Sequence, residues 1–123
     1  LGQIAFRERV KEIGLERWSK FVPLYTENIS ELPDWDAEVC GESIEIKAIP
    51  PDSNVQRCRM LVKISEFKKL DQYAAVKFWD DRTYSFCGFA TGEEVAKAPV
   101  GDFGYASAHW IFINELPHRY KDF

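Results

Sequence analysis

Between residues 3 and 20 apolar side chains return every three or four positions, at Ile4, Phe6, Val10, Ile13 and Trp18, with arginine, lysine and glutamate between them. That spacing predicts an amphipathic helix with one face turned to a core. Gly14 interrupts the pattern and weakens its continuity. Residues 21–25 read as a short strand, and the polar stretch 26–31 as a loop leading to Pro33.

The period then changes from helical to two. Asp34, Asp36 and Glu38 alternate with Ala37 and Val39, and beyond Cys40-Gly41 the apolar Ile44 and Ile46 alternate with Glu45 and Lys47. Two half-buried strands joined by a tight turn are predicted. With Cys40-Gly41 as a two-residue turn, Val39 pairs with Glu42, and the ladder runs on to set Asp36 opposite Glu45 and Asp34 opposite Lys47. One polar face then carries all four groups.

After a loop at 50–54, Met60, Leu61, Ile64, Phe67 and Leu70 fit a helix over residues 57–70, although Val62 and Ile64 also admit a strand. Residues 73–79 and 83–89 read as strands around an Asp80-Asp81-Arg82 turn. Thr91, with Glu94 three residues later, marks the N-cap of a short helix over 91–98. Residues 99–107 read as a loop, 110–113 as a final strand and 117–121 as a polar tail. The predicted fold class is mixed α/β, with no internal repeat and no low-complexity tract.

Composition narrows the picture. A chain of 123 residues suits one domain, and 46% hydrophobic with 29% charged residues suits a packed core with a polar surface. No apolar run approaches the roughly 20 residues of a membrane span, and no signal-peptide layout opens the chain, so a soluble, cytoplasmic protein with no membrane partner is expected. Leu1 in place of Met suggests trimming or a missing start. Cys40, Cys58 and Cys87 are odd in number and lack CxxC spacing, which predicts buried reduced thiols rather than a disulfide framework or a zinc site. A net charge of −4 argues against a nonspecific, high-affinity nucleic-acid binder, while an acidic metal site beside a local basic stripe is compatible with it.

The hairpin carries the candidate chemistry. Phosphodiester hydrolysis needs a divalent cation, and hard Mg²⁺ prefers carboxylate oxygens while keeping waters of its own. Asp36 and Glu45, as cross-strand neighbours, could share one cation. Lys47 projects from the same face, where its ammonium could orient the attacking water or stabilise the pentavalent phosphorane.

The stretch from Asp36 through Glu45 to Lys47 resembles the PD-(D/E)XK nuclease signature, in which an Asp on one strand is followed across a hairpin by Glu/Asp-X-Lys on the next. The flanking helix, hairpin, helix and strand resemble that family's restriction-endonuclease-like αβββαβ core over residues 2–79. From Asp80 onward the chain looks similar to C-terminal decorations, here a strand–helix–strand extension, of small phage or mobile-element nucleases. The resemblance implies a Mg²⁺- or Mn²⁺-dependent endonuclease acting on DNA, with Asp36 and Glu45 as metal ligands and Lys47 as the catalytic lysine. Pro33-Asp34 supplies an alternative first acid, but the ladder favours Asp36. Many members carry a Glu on the first helix that points at the metal. Phe6 and Arg7 stand where it would be sought, which leaves Glu8 or Glu12 as substitutes. One site cuts one strand, so double-strand cleavage would need a homodimer or larger homo-oligomer.

Blander readings stand beside these. Glu8, Glu12 and Glu16 fit a solvated stripe with helical ion pairs. The hairpin acids fit a solvent-facing sheet with a weak Asp34–Lys47 pair. His109 and His118 lack partners at ligand spacing, and Ser65, Ser85 and Ser107 lack a nucleophile motif. Arg57, Arg59, Lys63, Lys68 and Lys69 would form a phosphate-contacting edge only if their segment lies beside the acids. Tyr73, Trp79, Tyr84, Phe86 and Phe89 fit core packing better than base stacking. Two rival functions follow: a catalytically inactive domain of the same fold that binds nucleic acid or a protein, and a small α/β interaction protein of unrelated fold.

Overall fold

The computed structural model describes residues 2–21, 35–51, 58–80, 82–104 and 106–119. Helix α1 spans Gly2–Glu12, and its end is set by Gly14, whose φ of +78° suits the residue that closes a helix in the left-handed region. The helix predicted to residue 20 therefore stops about two turns early. Trp18 sits on an exposed 3₁₀ turn, Glu16–Trp18, that leads into strand β1, Ser19–Phe21. The strand expected at 21–25 begins earlier than predicted, and residues 22–25 lie outside the described residues.

The hairpin forms as its alternation requires. Strands β2, Ala37–Val39, and β3, Glu42–Ile49, pair antiparallel with Val39 opposite Glu42 and Ala37 opposite Ile44. Cys40 and Gly41 turn the chain at φ of 52° and 83°, the two positive values that a type I′ hairpin needs. That turn holds Cys40 in solvent. Cys58 is likewise exposed and Cys87 half-buried, all three as free thiols, so the expectation of buried cysteines is corrected.

The segment predicted as a helix over 57–70 is instead strand β4, Arg59–Lys63, followed by a 3₁₀ turn, Ile64–Glu66, and an irregular stretch. Met60, Leu61 and Val62 are buried consecutively, which a two-sided core strand allows and a one-sided helix does not. Arg57 lies outside the described residues. Strands β5, Gln72–Phe78, and β6, Tyr84–Thr91, form the second hairpin, with Asp80 Oδ1 accepting the N–H groups of Arg82 and Thr83 in the turn. Helix α2, Gly92–Lys97, opens with the predicted capping box of Thr91 and Glu94. A strand not anticipated, β7, Val100–Asp102, pairs with β8, Ser107–Phe112, and β8 with β4.

Among the described residues the result is a mixed α/β arrangement of two sheets. The larger has the order β1-β2-β3-β5-β6, with β3 parallel to β5 and the other pairs antiparallel; the smaller has the order β4-β8-β7. Phe6 and Val10 of α1 pack on Ala37, Val39, Ile44 and Ala74 on one face of the large sheet. On the other, Met60, Val62 and Val95 bring the small sheet and α2 onto Ile49, Tyr73, Ala75 and Ala90. The polar tail is tied down: His118 bridges to Phe89, and the Arg119 guanidinium donates to the carbonyls of Cys87, Ile113 and Asn114. No helix among the described residues is long and apolar enough to cross a membrane.

Candidate functional site

The site begins where the β2–β3 ladder ends. Strand β2 starts at Ala37 while β3 continues to Ile49, so the backbone of β3 beyond Ile44 loses its partner on that side. Asp36 takes over. Its N–H donates to the Ile44 carbonyl at 2.9 Å, and its Oδ2 accepts the Ile46 N–H at 2.8 Å. Its Oδ1 accepts from Gln3 Nε2 at 3.0 Å, from the first turn of α1. A carboxylate that accepts these two donors is fixed in position before any ligand arrives.

Glu45 lies next to it, with its side chain only 13% exposed. Burial, followed by the hydrogen bond to Asp36 and its charge, pushes the Glu45 carboxyl up from 4.5 to about 6, against the opposing pull of Lys47 and Lys68. Lys68 Nζ stands 3.3 Å from Glu45 Oε2. Lys47, two residues further along β3 and on the same face, places Nζ 3.6 Å from Glu66 Oε2, and Glu66 Oε1 lies 3.7 Å from Lys63 Nζ. Asp36, Glu45 and Lys47 are thus neighbours, as the alternation in the hairpin anticipates.

Beneath Lys68 lies Tyr73, the β5 partner of Glu45 in the parallel ladder and fully buried. Its hydroxyl donates to the Lys68 carbonyl at 2.7 Å and accepts the Lys68 N–H at 2.9 Å, while its ring stacks on Phe67. Burial pushes this hydroxyl's pKa above the ordinary tyrosine value. One side chain therefore holds both polar groups of the Lys68 backbone.

The other sequence candidates fall elsewhere. Asp34 lies outside the described residues, and the described partner of Lys47 is Glu66. Glu8 is exposed 3.9 Å from Lys11, and Glu12 is 3.7 Å from Arg9. Glu8 follows Gln3 by five residues, roughly 140° around the helix, so α1 turns Gln3 rather than Glu8 to Asp36. Of the basic segment, Lys68 lies beside Glu45 and Lys63 beside Glu66, whereas Arg59 stacks over Phe103, Trp110 and Phe112. Trp79 and Tyr84 are exposed at the end of the β5–β6 hairpin, correcting their assignment to the core; Tyr73 and Phe89 are buried as expected. His118 pairs with Glu94 at 2.9 Å, and His109 Nδ1 lies 3.2 Å from the Ala98 carbonyl, both at structural positions.

Gln3 and Glu66 escaped sequence reasoning, and Tyr73 reads there only as core. A glutamine in a first turn carries no charge signal, and Glu66 and Tyr73 gain meaning only once residues 59–70 are known to cross over the sheet.

Two adjacent carboxylates, of which Glu45 is held back from ionising by burial and by its neighbour Asp36, are a donor pair suited to a hard divalent cation, which would favour the charged form and fill its remaining positions with water. Among the described residues no group of three or more His, Cys, Asp or Glu side chains is arranged to hold a metal. Comparison with family models, curated protein sequences and solved structures returns no match.

Proposed function

We propose that this chain is a metal-dependent endonuclease of the PD-(D/E)XK kind that hydrolyses DNA phosphodiester bonds. The observation that carries the reading is that Asp36, anchored on Ile44 and Ile46 at the end of a β-hairpin, stands beside Glu45, with Lys47 next on the same strand face. The order helix, strand, antiparallel hairpin and parallel strand supports a restriction-endonuclease-like core. The crossover to the parallel strand departs from αβββαβ, because β4 and a 3₁₀ turn stand where that order has a helix.

In this reading Asp36 and Glu45 hold Mg²⁺ or Mn²⁺. Bound there, the cation would supply charge neutralisation at the phosphate and a more acidic water. The hydrogen bonds from Ile46 and Gln3 keep Asp36 aimed, and β3 keeps Glu45 and Lys47 on one face. The Lys47 ammonium orients the water whose oxygen bonds to phosphorus, or stabilises the charge that collects on the phosphoryl oxygens as the ester P–O bond breaks. The departing oxygen ends protonated and the water has lost one proton. Double-strand cleavage calls for two copies of the chain.

A second reading, a catalytically silent domain that binds nucleic acid or a protein, is favoured by the Lys68–Glu45 ion pair, which occupies one of the two acids. Incubation with supercoiled plasmid, with and without Mn²⁺ and with Glu45→Ala alongside, separates the two. Metal-dependent nicking lost in Glu45→Ala supports the enzyme; equal inertness of both proteins on plasmid, single-stranded DNA and RNA overturns it.

A further inference from the structure

Three carboxylates, Asp36, Glu45 and Glu66, and three ammonium groups, Lys47, Lys63 and Lys68, meet along one face of β3. With all six ionised their charges cancel. Adding a dication to that cluster leaves a surplus of two positive charges, which matches the doubly negative phosphorane of phosphodiester hydrolysis. One ammonium must nevertheless yield, because Lys68 stands 3.3 Å from Oε2 of the carboxylate that would share a cation with Asp36. Lys47 also attracts the Glu45 carboxyl, but the ion pair it forms is with Glu66, at 3.6 Å.

The anchoring of Lys68 suits a head that moves on a base that does not. Its backbone is held on both sides by the buried Tyr73 hydroxyl. Phe67 stacks on the same ring, and the Leu70 carbonyl lies so close to Gly92 that any Cβ there would collide with it. The Lys68 side chain by contrast is 41% exposed. An ammonium on a flexible stem can change partner without disturbing the loop beneath it.

We propose that Lys68 is a second functional ammonium of this site, which stands over Glu45 in the metal-free protein and turns to the phosphodiester when a dication displaces it. Tyr73 is its positioning residue. The inference rests on the metal-dependent reading above, and predicts two effects of opposite sign from one substitution. Removing the competing charge tightens metal binding, whereas removing the phosphate-facing ammonium slows cleavage. Simple structural damage would weaken both.

The test is Mn²⁺ binding followed by electron paramagnetic resonance, together with single-turnover cleavage of supercoiled plasmid at saturating Mn²⁺, for wild type, Lys68→Gln, Lys68→Arg and Tyr73→Phe. Lys68→Gln should lower the Kd for Mn²⁺ about fivefold, the factor expected for a partly exposed ion pair. It should slow cleavage about tenfold or more, as loss of a charge-stabilising group does. Lys68→Arg should recover part of both effects, and Tyr73→Phe should move both in the direction of Lys68→Gln by about twofold. Unchanged Kd and rate in Lys68→Gln, or a weaker Kd, overturn the proposal while leaving the nuclease reading intact. Tightened binding in a protein that never cuts supports the displacement and overturns the nuclease reading and the phosphate-facing half of this one. Failure of wild type to bind Mn²⁺ overturns both.

Discussion

The carboxylate of Asp36 accepts the backbone N–H of Ile46 at 2.8 Å, so the first acid of the candidate site is also the group that extends the sheet past the end of β2. Site chemistry and local stability meet in one side chain. Asp36→Ala leaves the Ile46 N–H and the Gln3 amide without their acceptor, and a lost partner at a part-buried donor costs about 1–3 kcal/mol. Asp36→Asn keeps one carbonyl oxygen for these donors and should lose less than half as much. Urea denaturation of the two variants checks the ranking, and makes Asp36→Asn the better variant for testing metal binding.

Glu45 gives the metal-free protein a pH dependence of definite sign. Its folded pKa, about 6, exceeds the ordinary 4.5, because burial and Asp36 disfavour its charge. Between those values the folded chain keeps a proton that the unfolded chain has released, so this group makes stability fall as pH rises through that window. After allowance for screening by solvent and the nearby lysines, the effect is on the order of 1 kcal/mol. Chemical denaturation at pH 4.5 and 6.5, without metal, should show this slope in wild type and not in Glu45→Gln. An equal slope in both would remove Glu45 as its source.

Thr91 provides a contrast away from the acids. Partial burial works against ionisation of Glu94, but the Thr91 N–H and hydroxyl and the His118 ring outweigh it, and hold the carboxyl below its ordinary range. The stability this provides is present above pH 4.5 and is lost as pH falls through the lowered value. Thr91→Ala removes the capping oxygen of α2 and should cost about 1 kcal/mol. Thermal unfolding measures that loss, and Mn²⁺ binding at Asp36 and Glu45 should not change with it.

The hairpin was legible because its alternation fixes both register and face: Ile44 and Ile46 turn to α1, so Glu45 and Lys47 must turn away. The Thr91 cap was legible for a similar reason, being a local motif complete within four residues. Residues 59–70 were not. Their apolar spacing fits a helix as well as a strand, and the choice was made by β8, which arrives some 45 residues later to pair with β4. Without that pairing, Lys68 could not be assigned to Glu45, nor Tyr73 to Lys68. Gly14 signalled the early end of α1, but its weight depended on the left-handed conformation that the backbone adopts there.

Gln3 offers the sharpest test of how the first helix addresses the acids. Its amide donates to Asp36 Oδ1 at 3.0 Å, whereas Phe6 and Arg7 hold the positions where the resemblance to PD-(D/E)XK nucleases would place a glutamate. Gln3→Glu exchanges the donor to Asp36 for a third negative charge beside the Asp36 and Glu45 pair. Without metal the like charges repel, and the variant should unfold at lower temperature than wild type by a few degrees, corresponding to about 1 kcal/mol. With Mn²⁺ the same charge becomes a further oxygen donor, so binding should tighten and saturating metal should restore the lost stability through its preference for the folded state. Differential scanning calorimetry with and without Mn²⁺ reads both effects. A variant less stable without metal and no better at binding it would mean that α1 supports Asp36 but does not face the cation.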